Sequence, residues 1–584
     1  MRIIFPSILL LFCSAIFAQT ATYTTPFEEN NQVTATYQEV VDFYKKLDLG
    51  YRQMSLQEAG PTDSGNPLLV AVVSKNGEFD PEKLRQQGKL ILLINNGIHP
   101  GEPEGVDATM ILCRDLLQRQ ELQALLDDVV VVIIPMYNID GALNRGCCSR
   151  ANQNGPQQYG FRGNAQNLDL NRDFIKCDSK NARSFTQVFN HWNPDVLVDN
   201  HTSNGADYQY TMTMLATQPD KLGVLQGSYL RRILLPRLNS VMMMNRQEMT
   251  PYVNEFKETP LDGITGFYDS PRYSSGYAAL HHCIGFVPET HMLKPFPNRV
   301  KATIDFMVVL LKELSMEHRR IRDLRQQAIN EAMASEYMNL DWKLDEKQVD
   351  SIVFNGYEGK YKPSEVTGLD RLWYDRSAPF SKKIPYWNHF EPSIQVFKPK
   401  AYIIPQAYSD VVELMEMNGV KFSRLTADAA PAVELYRIKK YETRQAYEGH
   451  YLHYNIEVEK ENKNWPYHKG DYVALTDQPA VRFLMETIEP QAIDSYFAWN
   501  YFDGILGQKE YFSPYVFEDI AAQFLKENPS VKAELEAKRA ADPEFAKSQW
   551  AQLYFVYQKT PYFEPTVNLY PVGRVMNLEE LPLK

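Results

Sequence analysis

The chain has 584 residues, 44% of them hydrophobic and 23% charged, with a formal net charge of -12. This is the composition of an ordinary soluble protein, long enough to bury large cores and to divide into two or more domains. The negative balance excludes nucleic acid and anionic membrane as main partners, because both repel it at long range, and leaves small molecules or peptides.

At the N-terminus, Met1-Arg2, the apolar run Ile3 to Phe17 and then Ala18-Gln19 follow the charge, apolar, small-residue order of a secretory signal peptide. The run is short for a bilayer span, so residues 1–18 are expected to be cleaved, giving a secreted or periplasmic protein with no stable membrane insertion. Cys13 leaves with this segment. Cys113, Cys147, Cys148, Cys177 and Cys283 then remain, an odd number, so at least one thiol stays free or pairs between chains. Cys147 or Cys148 paired with Cys177 is one arrangement, and buried thiols are the other. Gln19 to Val33 is too short for a folded inhibitory pro-domain.

Thr36 to Leu47 has the spacing of an amphipathic helix, with Val40, Val41, Tyr44 and Leu47 on one side. Apolar runs then alternate with helical stretches such as Glu104 to Leu117. The runs are Leu68 to Val73, Leu90 to Ile94, Val129 to Ile134, Val196 to Val198 and Ile284 to Val287. Short runs of Val, Ile and Leu suit strands covered on both faces, so the fold class is α/β, a mixed and mostly parallel sheet flanked by helices. A charged helix from about Arg299 to Glu331 closes this unit, and composition shifts towards Tyr, Trp and Pro beyond it. The expected division is a signal peptide at 1–18, a catalytic domain at 19–340 and an accessory domain at 341–584 of mixed α/β character. Within the last, Ala401 to Pro405 and Tyr472 to Leu475 read as short strands, and Val411 to Asn418 and Phe517 to Glu527 as helices.

Ligand crevices in such sheets lie off the carboxyl ends of the strands. Four runs lead into polar residues of the kind catalysis needs: Leu90 to Ile94 into His99 and Glu102, Val129 to Ile134 into Asn138-Ile-Asp-Gly141, Val196 to Val198 into Asp199-Asn-His201, and Ile284 to Val287 into Glu289. Polar loops at strand ends account for one or two of these without any function. In His99-Pro-Gly-Glu102 an imidazole and a carboxylate three residues apart sit in a tight turn and can reach one ion. With 11 His and 73 acidic residues, about one such pair arises by chance, so the pair needs company. His201 is the best third ligand, since His281 and His282 precede the last strand and lie at its opposite end. Three protein ligands with an open position describe a catalytic zinc site rather than a structural one.

Taken together, His99-Pro-Gly-Glu102, the N-x-D-G at Asn138, Asp169-Leu-Asn-Arg172, the strand ending in His201 and the segment ending just past Glu289 resemble the M14 zinc carboxypeptidases, in that family's order, across about Thr36 to Lys312. The His, Glu, His set is the one carboxypeptidase A carries, so its assignment here rests on the resemblance.

The resemblance implies one zinc ion held by His99, Glu102 and His201, and Glu289 as the general base that takes a proton from the attacking water. It implies Asn171 and Arg172 as the pair that holds the substrate's terminal carboxylate, a task for which the planar guanidinium fork is suited. Arg162 is the expected oxyanion-stabilising residue, with Arg150 as the alternative. Tyr273 is the expected cap over the substrate, with Tyr277 as the alternative. The expected function is removal of C-terminal residues from peptides or proteins without a covalent intermediate. Two rivals stand beside it: a zinc amidase acting on a cell-wall or other non-peptide amide, and a carboxypeptidase-like binding protein without turnover.

Overall fold

The computed structural model describes residues 23–254 and 256–583, so the expected signal segment 1–18 lies outside the described residues. Among the described residues no helix is long and apolar enough to cross a membrane. Helix Tyr37–Gly50 starts where Thr36 and Glu39 cap each other reciprocally, and it buries Val40, Val41, Phe43, Tyr44 and Leu47.

The first ten strands in chain order are β1 Met54–Pro61, β2 Pro67–Val73, β3 Leu90–Asn95, β4 Val129–Ile134, β5 Val196–Asp199, β6 His201–Ser203, β7 Met212–Ala216, β8 Met249–Pro251, β9 Ile264–Thr265 and β10 Ile284–His291. All but β9 form one sheet, ordered β1-β2-β4-β3-β5-β10-β7-β8, with β6 continuing β5 along β10. β3, β4, β5, β6 and β10 run parallel, while β1, β2 and β7 pair antiparallel at the flanks. The mixed, parallel-centred sheet matches the expected fold class.

Both faces of its centre are covered. In β4, Val130, Val132 and Ile134 belong to one buried cluster and Val129, Val131 and Ile133 to the other. Full burial of each such side chain contributes about 1.5–3 kcal/mol, so the centre is a rigid platform and chemistry is left to its ends. One face is covered by helices Glu104–Gln118 and Phe296–Ala334. The other is covered by helix Lys180–Trp192 and, continuous with it, by Phe483, Leu484 and Trp499 from the C-terminal region. Packing against the sheet is therefore one task of that region.

The closing helix extends beyond its expected limits, and Asp341 lies within the next strand, Tyr337–Leu344. Strands Ala401–Ile404 and Tyr472–Leu475 and helices Ser409–Met417 and Pro514–Glu527 fall where the sequence placed them. The largest strands of the region carry no such signal: Asp350–Pro363 pairs with Asp370–Trp387, and Ala432–Thr443 with His453–Asn464. In Asp350–Pro363 only Phe354 and Gly356 are buried, so the alternation that marks a half-buried strand is confined to two positions. The short strand β9 pairs with Tyr386–Trp387 of the same hairpin.

The pairing of Cys147 or Cys148 with Cys177 is not what the structure shows. Cys147 and Cys148 are bonded to each other. Cys177 is a buried thiol on the Phe174 carbonyl and the Thr186 hydroxyl, and Cys113 and Cys283 are likewise buried thiols.

Candidate active site

The H-P-G-E turn leaves the carboxyl end of β3 and is closed by the Glu102 amide donating to the His99 carbonyl, 2.8 Å. Its glycine is sterically required. A Cβ on Gly101 would stand 2.7 Å from Arg150 Cδ and 3.2 Å from the Gly160 carbonyl. Asn138 fastens the turn from β4's end: its side-chain amide donates to the Ile98 and Arg162 carbonyls, and its oxygen caps the Gly141 amide.

His99, Glu102 and His201 are all buried, and one potential ligand atom from each lies within 4.8 Å of the other two. Glu102 faces both rings through different oxygens, Oε1 at 3.3 Å from His99 Nδ1 and Oε2 at 3.1 Å from His201 Nδ1. The far nitrogens are occupied. His99 Nε2 is 2.9 Å from Asp169, and His201 Nε2 is 2.9 Å from Asp199. Asp199 and His201 are two residues apart in nearly continuous strands, which points both to one face. Orienting carboxylates of this kind fix a ligating imidazole's tautomer and raise its basicity. The buried His99 Nδ1 has no hydrogen-bond partner among the described residues. A bare imidazole nitrogen beside a carboxylate and a second imidazole fits a divalent transition metal, and the set matches zinc's preference for nitrogen and oxygen ligands.

The charges are mutually dependent. Burial opposes ionisation of Glu102, yet Arg150 and the two histidines hold it well below the ordinary carboxylate range. Burial likewise opposes a charged His201, and Asp199 and Glu102 outweigh it. Asp169 is held far down by His99, Arg162 and Arg172 against the same penalty.

Glu289 sits on β10 directly across the ladder from His201. Burial pushes its carboxyl up to about 7, a rise that the charge of His201 opposes and that of Glu102 reinforces. A carboxyl poised near neutrality is what a general base or acid needs.

Asn171 and Arg172 lie on the short 3-10 turn Leu170–Arg172, capped by Asp169 through the Asn171 amide. The Ser274 amide donates to Asn171 Oδ1, 3.3 Å, which leaves the Asn171 amide nitrogen as a donor. Arg172 lies 4.5 Å from the centre of the Tyr273 ring. The two tyrosine candidates part here. Tyr273 lines the same cavity as the metal set, whereas Tyr277 is fully buried in the core with its hydroxyl 2.6 Å from Asn418.

Both arginine candidates reach the cavity. Arg150 donates to Glu102 Oε1 at 2.8 Å and to the Thr202 carbonyl. Arg162 is gripped by Asp169, stands 3.6 Å from Glu102 and is 44% exposed, so it can swing towards a bound molecule at lower cost. His281 and His282 lie at the opposite end of β10, as expected, where burial pushes His281 down to about 3.

Except for Asn138, Tyr277, His281, His282 and the two orienting aspartates, the candidate residues line one cavity of about 270 Å³, whose apolar wall includes Leu215, Tyr252, Phe267 and Val287. The sequence alone does not assign Asp169 and Asp199 to the histidines. The D-x-H spacing at Asp199 is the signal that could have found one of them, while Asp169 needed the three-dimensional fold. Tyr252 and Phe267 carry no local signal.

Residues 40–211 match the family model for zinc carboxypeptidases. The chain is 22% identical over 503 residues to carboxypeptidase 2 of Trichophyton rubrum, covering 83% of this chain and 87% of that protein. It is 22% identical over 453 residues to carboxypeptidase 2 of Trichophyton equinum, covering 74% and 76%. Among solved structures, a metallo-carboxypeptidase from Pseudomonas aeruginosa overlays with 15% identity, 50% of this chain, 70% of that chain and a TM-score of 0.38. One from Burkholderia cenocepacia does so with 15%, 48%, 70% and 0.37. The family match takes in His99, Glu102 and His201, and with the carboxypeptidase relatives it supports a metallopeptidase of the hydrolase class, similar to the zinc carboxypeptidases.

Proposed function

We propose that this protein is an exported zinc metallocarboxypeptidase that removes single residues from the C-termini of peptides. The observation that carries the reading is the sharing of one cavity by the His99, Glu102 and His201 set, Glu289, and the Asn171 and Arg172 pair. Export rests on the signal-like segment 1–18, outside the described residues.

His99, Glu102 and His201 would hold zinc, which supplies Lewis-acid polarisation of a carbonyl and acidification of a water molecule. The chain's own residues do the rest. Arg172 and the Asn171 amide bind the terminal carboxylate and admit only a free chain end. Tyr273, stacked on Arg172, covers the bound residue. Glu289 accepts the proton of the attacking water and returns it to the leaving amine, a role that contributes typically about 10²- to 10⁴-fold. Arg162 donates to the oxyanion of the tetrahedral intermediate, a contribution of about 3–4 kcal/mol for one such donor. Leu215, Tyr252, Phe267 and Val287 exclude water from one side of the cavity.

Elemental analysis combined with activity tests this reading. One zinc per chain is expected, with turnover of a peptide mixture abolished by chelation and restored by zinc. In Glu289→Ala, zinc is expected to stay while turnover is lost. Turnover unaffected by metal removal, or by Glu289→Ala, overturns it.

A further inference from the structure

A four-residue turn of the C-terminal region is inserted behind the carboxylate clamp. Tyr447-Glu448-Gly449-His450 links strands Ala432–Thr443 and His453–Asn464, and Tyr447 and His450 exchange both backbone hydrogen bonds, 2.7 and 3.0 Å. The two central residues have positive φ, 50° at Glu448 and 82° at Gly449, as a tight primed turn requires. Glycine would relieve the left-handed backbone at position 448, but it would forfeit the carboxylate there, which accepts the Asp169 amide at 2.7 Å.

Each residue of this turn meets the 168–178 segment. Tyr447's hydroxyl accepts from Arg172 Nε at 3.0 Å, and His450 Nε2 is 2.9 Å from Asp178. Gly449 lies against Leu168, close enough that a Cβ would come within 3.7 Å of its side chain. The tyrosine is itself fixed. Its ring stacks near-parallel on Trp499, and the Arg272 guanidinium, bound to the buried Asp494 at 2.8 Å, lies over both rings.

The consequence falls on the guanidinium. Arg172 spends Nε on Tyr447 and Nη1 on the Asn171 carbonyl, so Nη2 is the nitrogen left over. A guanidinium is planar, and fixing Nε on one side fixes where the rest of the fork points. Tyr447 is not among the residues lining the cavity, so it reaches substrate only through Arg172.

We infer that Tyr447 is a positioning residue for the peptide's terminal carboxylate, and that the C-terminal region completes the substrate clamp. The inference rests on the carboxypeptidase reading. Tyr447→Phe keeps the stacking ring and removes the hydroxyl. KM for a peptide with a free C-terminus is expected to rise roughly tenfold, the scale of one lost hydrogen bond to a charged group, with kcat within about twofold and zinc content unchanged. In an Arg172→Ala background the same substitution is expected to add almost nothing, since the interaction runs through that residue.

An unchanged KM, a fall confined to kcat, or an equal effect in both backgrounds overturns the inference. Binding of N-acetyl-leucine, -phenylalanine, -lysine and -glutamate, each against its amide, separates this inference from the proposed function. If wild type hydrolyses no peptide, the activity reading fails, and weaker binding in Tyr447→Phe of the free carboxylates alone still supports the clamp. Equal weakening of acids and amides, or none, contradicts it.

Discussion

The carboxyl ends of β3, β5, β6 and β10 and the long hairpins after residue 337 show two ways in which a chain uses strands. The first are buried, and residues within them or in the turn after β3, namely His99, Glu102, His201 and Glu289, line one cavity. The second are largely exposed and carry no clustered titratable set that could hold a metal among the described residues. Yet the tip beyond Ala432–Thr443 reaches Arg172. Chemistry resides where the backbone is rigid, and the exposed hairpin contributes by bracing it.

The comparison breaks or sharpens under substitution. The largest effect belongs to Glu289→Gln, which keeps the shape and removes the base: kcat is expected to fall about 10²- to 10⁴-fold with zinc retained, read by steady-state kinetics beside elemental analysis. Arg172→Ala should raise KM for free C-termini by about ten- to a hundredfold, in line with loss of a charge-assisted hydrogen bond of ~1.5–3 kcal/mol. Asp199→Asn removes the charge behind His201 and should weaken zinc affinity about ten- to a hundredfold in a competition titration with a chromogenic chelator.

The pH profile gives a smaller but signed effect. Glu289 works only as the carboxylate, and burial pushes it up to about 7, so the active form is lost as pH falls through that value. A dication beside it favours the charged form and moves the value down. The acid limb of kcat/KM should therefore lie at or below about pH 7, and a limb at higher pH assigns the base elsewhere. Smallest is Tyr277→Phe, which loses the core hydrogen bond to Asn418 and a longer one from Asn190, both away from the cavity. It should cost about 1 kcal/mol in denaturant unfolding and leave KM unchanged.

The parallel core was readable because β3, β4, β5 and β10 are short apolar runs, and burial on both faces admits little else. The metal set was readable because two of its members share one turn and the third closely follows the apolar run Val196 to Val198. The N-x-D-G at Asn138 was visible as a motif, but its task of tying the Arg162 loop to the H-P-G-E turn was not. The exposed hairpins were illegible, since Asp350–Pro363 buries only Phe354 and Gly356, and two positions are too few to show a period. Tyr447 lies 275 residues from Arg172, and no local pattern marks a contact of that separation. The Cys147 and Cys148 bond was likewise unread, because spacing alone does not fix disulfide partners.

The central claim is that the metal set and the Arg172 clamp act on one free chain end. Time-resolved mass spectrometry of wild-type digestion tests it most directly, on matched peptides with free and amidated C-termini. The expected result is a ladder of products shortened one residue at a time from the free end, with the amidated peptides left intact. Internal cleavage, or equal hydrolysis of both forms, would contradict it.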